Sequence, residues 1–203
     1  MSAHHLAARP AGPVRDRREA ASRRGMTLVE LAVVLTVVGV VAGFAAPYAS
    51  SGQFQSDAAA RKLHVTLMAA ERLAVARQHN VVVSFDTTGH TVRTLEDRDG
   101  DGTVDLGERV TWHPLGDNAY FAAPPSALPG STPAAVSGAR LRVVDGMPSV
   151  TFRRNGAAST NVELYVAAGS RGRRFHRAVA VTQATGRPEW FRWLGDQWKD
   201  ASL

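Results

Sequence analysis

Arg23-Arg24-Gly25-Met26-Thr27-Leu28-Val29-Glu30, followed without a break by LAVVLTVVGVVAGFAA at positions 31–46, is the stretch on which the reading of this chain turns. From Met26 to Ala46 the sole charged side chain is Glu30. As a helix this run is about 30 Å long, close to the thickness of a bilayer core. The arginines directly before it place its N-terminal side in the cytoplasm. A carboxylate inside hydrocarbon costs at least about 2–3 kcal/mol unless it is paired, so Glu30 reads as functional. A Sec signal peptide would show a shorter apolar core and a small-x-small cleavage site. A twin-arginine signal beginning at Ser22-Arg23-Arg24, or an anchor that is never cut, leaves Glu30 without a purpose.

Working outward, residues 1–25 carry Arg9, Arg15, Arg17, Arg18, Arg23 and Arg24 against Asp16 and Glu19, a net charge of +4 out of +6 for all 203 residues. The basic balance therefore belongs mostly to the N-terminal segment. The chain has no cysteine. That excludes a disulfide framework, a cysteine nucleophile, a thiolate zinc site and an iron–sulfur cluster. Its 44% hydrophobic and 21% charged residues fit neither a disordered tail nor a wholly embedded bundle.

Arg23-Arg24-Gly25 followed by Met26-Thr27-Leu28-Val29-Glu30 resembles the prepilin peptidase site of type IV pilins and type II secretion pseudopilins. The resemblance implies a cut between Gly25 and Met26, methylation of the new Met26 amine, and a carboxylate at the fifth mature position, which is Glu30. The family usually has Phe where this chain has Met26. Pro47, the 22nd mature residue, stands where many pilins soften the helix with a proline. A charged amine at Met26 would lie one helical turn from Glu30 on the same face. The family implies that this pair also forms between neighbouring subunits as a filament grows. Gly39 and Gly43 make a Gly-xxx-Gly pair that would let another helix approach closely.

Beyond Pro47, Tyr48–Gln55 reads as a polar joint, with Ser56 or Asp57 as the cap of a second helix. Leu63, Leu67, Ala70 and Ala74 recur at helical spacing, and Asn80 ends the helix. From Val81 the period changes to that of strands. VVVSF (81–85), a Thr-Thr-Gly turn and HTVRTL (90–95) predict a hairpin. Further strands are expected at 109–112, 119–122, 140–144, 149–152, 162–167, 176–182 and 188–193, with a Pro/Ala/Ser-rich loop over 123–138. One long helix followed by many short strands is an α+β pattern. With AERLAVARQHN before its first strand, the chain looks like the GspH/FimT branch of the pseudopilins. That resemblance implies a pilin-like fold, a long N-terminal transmembrane and amphipathic helix packed on an antiparallel sheet or sandwich. The expected plan is a leader removed at 1–25, a transmembrane helix at 26–46, a joint and amphipathic helix at 47–80, and a periplasmic β-rich head at 81–203.

Six of the chain's 18 acids fall between Glu96 and Glu108. Asp97-x-Asp99-x-Asp101-Gly102, five further residues and Glu108 match the spacing of an EF-hand calcium loop. Asp97, Asp99 and Asp101 would give side-chain oxygens, Thr103 a carbonyl, Asp105 a ligand through water, and Glu108 a bidentate carboxylate. An oxygen-rich set of this kind suits Ca²⁺ rather than a transition metal. The flanking segments read as strands, so the loop would join a hairpin and could not open helices as a sensor does. The alternative is an acidic surface turn that binds nothing.

His64, His79, His90, His113 and His176 are scattered, and the sequence contains neither HExxH nor a G-x-S-x-G elbow. No enzymatic role is expected. Arg171, Arg173, Arg174 and Arg177 form the basic cluster of the mature chain, and with Arg187, Trp190, Arg192, Trp193 and Lys199 they could form a surface for single strands. Some FimT-type relatives bind DNA through a Gly-Arg-x-Arg element, of which Gly186-Arg187-Pro188-Glu189 keeps the first half. The reading is a minor pseudopilin of a type II secretion system or type IV pilus, held in inner-membrane lipid. Prepilin peptidase and other pilins are its expected partners. The alternatives are a DNA-binding minor pilin for competence and a membrane-tethered calcium-binding domain.

Overall fold

The computed structural model describes residues 27–45, 51–169 and 174–201. The expected cut at Gly25–Met26, the proline at 47, and Arg171 and Arg173 lie outside the described residues. The chain divides into two compact units, residues 1–48 and 49–203.

The first unit contributes α1, Leu28–Ala45. Leu31, Val33, Val34, Leu35, Val37, Val38, Val40 and Val41 are all exposed, so the helix is apolar on every side rather than along one stripe. Its start is capped. Thr27 Oγ1 accepts a hydrogen bond from the Glu30 N–H at 3.2 Å, and the Leu31 N–H reaches the Thr27 carbonyl at 3.0 Å. Thr27-Leu28-Val29-Glu30 has the spacing of a capping box. Among the described residues no helix is long and apolar enough to cross a membrane.

The second unit opens with α2, Ser51–Arg77, which begins earlier than the expected joint allows. Ser56 is not its cap. It is buried within the helix, and its hydroxyl donates to the Gln53 carbonyl at 2.9 Å. Among the described residues eleven strands follow: β1 (Asn80–Asp86), β2 (Thr91–Asp97), β3 (Arg109–Pro114), β4 (Ala119–Phe121), β5 (Val136–Ser137), β6 (Arg142–Val144), β7 (Met147–Phe152), β8 (Val162–Ala168), β9 (Phe175–Val181), β10 (Pro188–Trp193) and β11 (Trp198–Asp200). They form two antiparallel sheets, one ordered β3-β2-β1-β7-β6 and one ordered β11-β10-β9-β8-β4, with β5 also on β8.

The apolar face of α2 unites them. Ala59, Ala60, Leu63, Leu67, Ala70 and Ala74 share one core with Val81, Val83 and Phe85 of β1, Val150 and Phe152 of β7, Leu164 and Val166 of β8, and Val179 and Val181 of β9. The spacing of those helical positions puts them on one side of α2, and the alternation along β1 sends Val81, Val83 and Phe85 to the same face. The opposite face of β1 and β2 carries a smaller cluster, Val82, Leu95 and Val144, with Val110 against it. Structure and sequence agree on the α+β class and on a helix packed against antiparallel sheets. The 123–138 segment is held down by a buried tyrosine. Tyr165 Oη accepts the Leu128 N–H at 2.9 Å and lies 2.9 Å from the Ser131 hydroxyl.

Candidate functional site

The acidic segment lies between β2 and β3, whose register runs from Thr91↔Pro114 to Glu96↔Arg109. It therefore links the arms of a hairpin, as the sequence implied. Alternation along β2 separates its first two acids. Glu96 sits within 3.5 Å of His79 and 4.0 Å of Arg109, while Asp97 turns to the other face and begins the loop.

Within the loop, one oxygen of Asp97 accepts the Gly100 N–H at 2.8 Å, and the Gly102 N–H also points to this carboxylate. Gly100 and Gly102 have φ of 85° and 74°, left-handed values that glycine adopts without a Cβ clash. The Asp101 carboxylate takes the Thr103 N–H at 2.7 Å and its hydroxyl at 2.8 Å. Glu108 reaches back across the loop, its two oxygens taking the Arg98 N–H at 2.8 Å and the Asp105 N–H at 3.3 Å.

These turns bring carboxylate oxygens together. Asp97, Asp99 and Glu108 each offer one oxygen within 4.8 Å of the others, and Asp99, Asp101 and Asp105 do the same. The two triads share Asp99. Ligand oxygens at 2.3–2.6 Å from one Ca²⁺ are separated by at most about 5 Å, so either triad fits a single hard cation. Thr103, the expected carbonyl ligand, lies between Asp101 and Asp105 of the second triad in the chain.

The electrostatics are those of crowded acids. Burial pushes the Asp97 carboxyl above its ordinary range, with Glu108 and Asp99 adding to the rise and the Gly102 and Gly100 N–H groups opposing it. Asp105 is also raised, chiefly by the charge on Asp101. Asp101 is lowered, chiefly by the Thr103 N–H and hydroxyl.

Among the described residues, the fold draws several members of the expected basic and aromatic surface near the C-terminus into the interior. Arg177 is buried and bonds to Asp57 of α2, Arg192 bonds to the same carboxylate, and Trp190 is buried beneath the Arg61 guanidinium. Of the remaining residues of that surface, Arg174 directly precedes β9 and Arg187 directly precedes β10, both exposed. Pro188 pairs with Val181 at the far end of β9, which sets Arg187 opposite Thr182, so Arg174 and Arg187 lie about 26 Å apart along the sheet and do not converge. His176 is buried too, and burial lowers its pKa, with Arg174 and Arg177 pushing in the same direction. Glu30, the expected assembly residue, lies exposed in the first turn of α1, where a carboxylate also favours the helix N-terminus.

An N-terminal helix apolar on all sides, joined to a head in which a second helix packs on antiparallel sheets, defines a pilin-like subunit. A model described as "Prokaryotic N-terminal methylation motif" matches residues 21–46. The chain belongs to the family described as "Type II transport protein GspH", whose model matches residues 59–185. It is thus a subunit of the pseudopilin and minor-pilin class. "Pilin-like protein PilA1" of Thermus thermophilus is 38% identical over 68 residues, which are 34% of this chain and 44% of that protein. This chain therefore spans less than half the length of that relative. The crystal structure of the type IV minor pilin FimU of Pseudomonas aeruginosa covers 71% of this chain and 92% of its own, with a TM-score of 0.41 and 14% identity.

Proposed function

We propose that this chain is a minor, non-enzymatic filament subunit of a type II secretion pseudopilus or a type IV pilus. Prepilin peptidase would cut it between Gly25 and Met26 and methylate the Met26 amine. The apolar segment from Met26 to Ala46 anchors the chain in inner-membrane lipid until Glu30 engages the amine of a neighbouring subunit, with the head in the periplasm. The observation that carries this reading is the order of the two matches, a methylation motif over 21–46 followed by a GspH head over 59–185. The test is the sheared filament fraction of the host. The wild-type chain should be found there with other pilins, and Gly25→Val should be missing from it. A wild-type chain confined to the membrane fraction while filaments form normally would overturn the reading.

We infer further that the loop from Asp97 to Glu108 binds Ca²⁺ and fixes the β2–β3 hairpin. Two carboxylate triads sharing Asp99 support this, because four aspartates within nine residues repel one another without a cation. A strand-flanked loop has no helices to move, so the ion would stabilise the head rather than signal.

A further inference from the structure

Arginines from four separate segments of the chain gather on one surface. A cavity of about 620 Å³ opens beyond the C-terminal end of α2 and is lined by Arg98, Arg140, Arg142, Arg153 and Arg154. They arrive from the loop after β2, the approach to β6, β6 itself and the turn after β7. The sheet order β2-β1-β7-β6 brings these segments to one place. All five are exposed.

Among the described residues none of the five forms an ion pair. Carboxylates are at hand on the same wall, yet Asp97 and Asp99 turn their oxygens to the N–H groups of Gly100 and Asp101. Arg142 donates to the Asp101 carbonyl at 2.6 Å, which fixes its side chain at the rim. Converging guanidiniums repel one another and focus a positive field into the concavity. A multiply charged anion relieves that repulsion.

We propose that this cavity binds a soluble ligand through two or more phosphate groups. A carboxylate is satisfied by one guanidinium fork, whereas five forks have the donor capacity for several tetrahedral, multiply charged groups. No Phe, Tyr or Trp lines the cavity, so the contact is with phosphates and not with stacked bases. A membrane lipid head group is the other source of phosphate. A glycerophospholipid head group such as phosphatidylglycerol carries one phosphate, whereas five forks in one cavity suit several phosphates on one molecule, which favours a ligand from solution.

The experiment uses the full-length chain in neutral detergent and phosphate-free buffer. A labelled mixed-sequence DNA duplex serves as the probe, with tripolyphosphate and polyuronate as competitors and phosphatidylglycerol vesicles as a separate arm. Tripolyphosphate should displace the duplex and polyuronate should not. Arg140→Gln/Arg153→Gln/Arg154→Gln should weaken binding at least about 10-fold and flatten the dependence of log K on log salt by about 2–3. Arg174→Gln/Arg187→Gln should bind as the wild type does. The assay is run in EDTA, so that calcium on Asp97 and Asp99, which line the same wall, contributes nothing to binding. Melting curves check that the triple variant folds, and Arg154→Gln alone should already lower affinity about threefold. Unchanged affinity in either variant, equal competition by polyuronate, or binding to the vesicles alone would overturn the proposal.

Discussion

The Asp57 carboxylate of α2 receives Arg177 Nε of β9 at 2.5 Å and Arg192 Nη2 of β10 at 3.1 Å. Arg177 is 1% exposed, so one helical acid holds a buried cation and ties α2 to two neighbouring strands. Removing that acid strands a charge in the interior. Asp57→Ala should lose about 3–5 kcal/mol of unfolding free energy in denaturant titrations, and Asp57→Ala/Arg177→Leu should recover part of it. A loss below about 1 kcal/mol for the single variant would mean that solvent already screens the pair.

Glu30 has two roles open to it, and Thr27 separates them. The Thr27 hydroxyl caps α1 through the Glu30 N–H, a contact worth about 1 kcal/mol. If the Glu30 carboxylate pairs with a neighbour's amine, Glu30→Val should leave insertion and cleavage intact and deplete the chain from filaments, while Thr27→Ala should have little effect. Site-directed cross-linking to other pilins reads both. Equal defects in the two variants would assign Glu30 to the helix start alone.

For the acidic loop, the affinity expected of a strand-flanked site is about 10⁻⁴–10⁻³ M, in the range of extracellular modules. At ten times the dissociation constant, linkage adds about 1.4 kcal/mol, a few degrees in Tm. Asp99→Ala removes the residue shared by both triads and should abolish the shift, as should Glu108→Ala. A melting curve that millimolar Ca²⁺ leaves unmoved, with no heat in calorimetry, would leave only an acidic turn.

The same loop sets a pH dependence. Asp97, raised chiefly by burial, and Asp105, raised chiefly by Asp101, hold protons in the folded chain that the unfolded chain has already released. Their contribution is fully present below about pH 4 and is lost as pH rises through the raised values. Asp101, lowered chiefly by Thr103, acts in the opposite sense and only as pH falls below the ordinary value. In EDTA, Asp105→Asn should therefore raise Tm at pH 7 relative to the wild type. The Ca²⁺-dependent shift should shrink between pH 7 and about pH 4.5, as protons compete for the same oxygens. A calcium shift that grows on acidification would contradict this.

How far the sequence carried this picture differs from element to element. β1, β2, β8, β9 and β10 were legible because runs rich in Val, Thr and aromatic residues, bounded by turn residues, mark strands. β5 was not, since Val136–Ser137 owes its conformation to pairing with Leu164 and Glu163 and has no period of its own. β11 is likewise set by its register, Trp193↔Trp198, on β10. The spacing of the acidic loop was legible because its carboxylates lie within twelve residues, from Asp97 to Glu108. The fold divides the arginines differently from their order in the chain: Arg177, three residues from exposed Arg174, faces α2, whereas Arg98, Arg142 and Arg153 meet only through sheet order. No linear spacing encodes that meeting.

The central claim is that this chain is a processed pilin-type subunit, and its N-terminus in host membranes tests that claim most directly. Mass spectrometry of the protein purified from those membranes should give a chain beginning at N-methylated Met26, with Gly25→Val accumulating as the 203-residue precursor. A wild-type chain that still begins at Met1, or one cut near Ala46–Ser50, would contradict it.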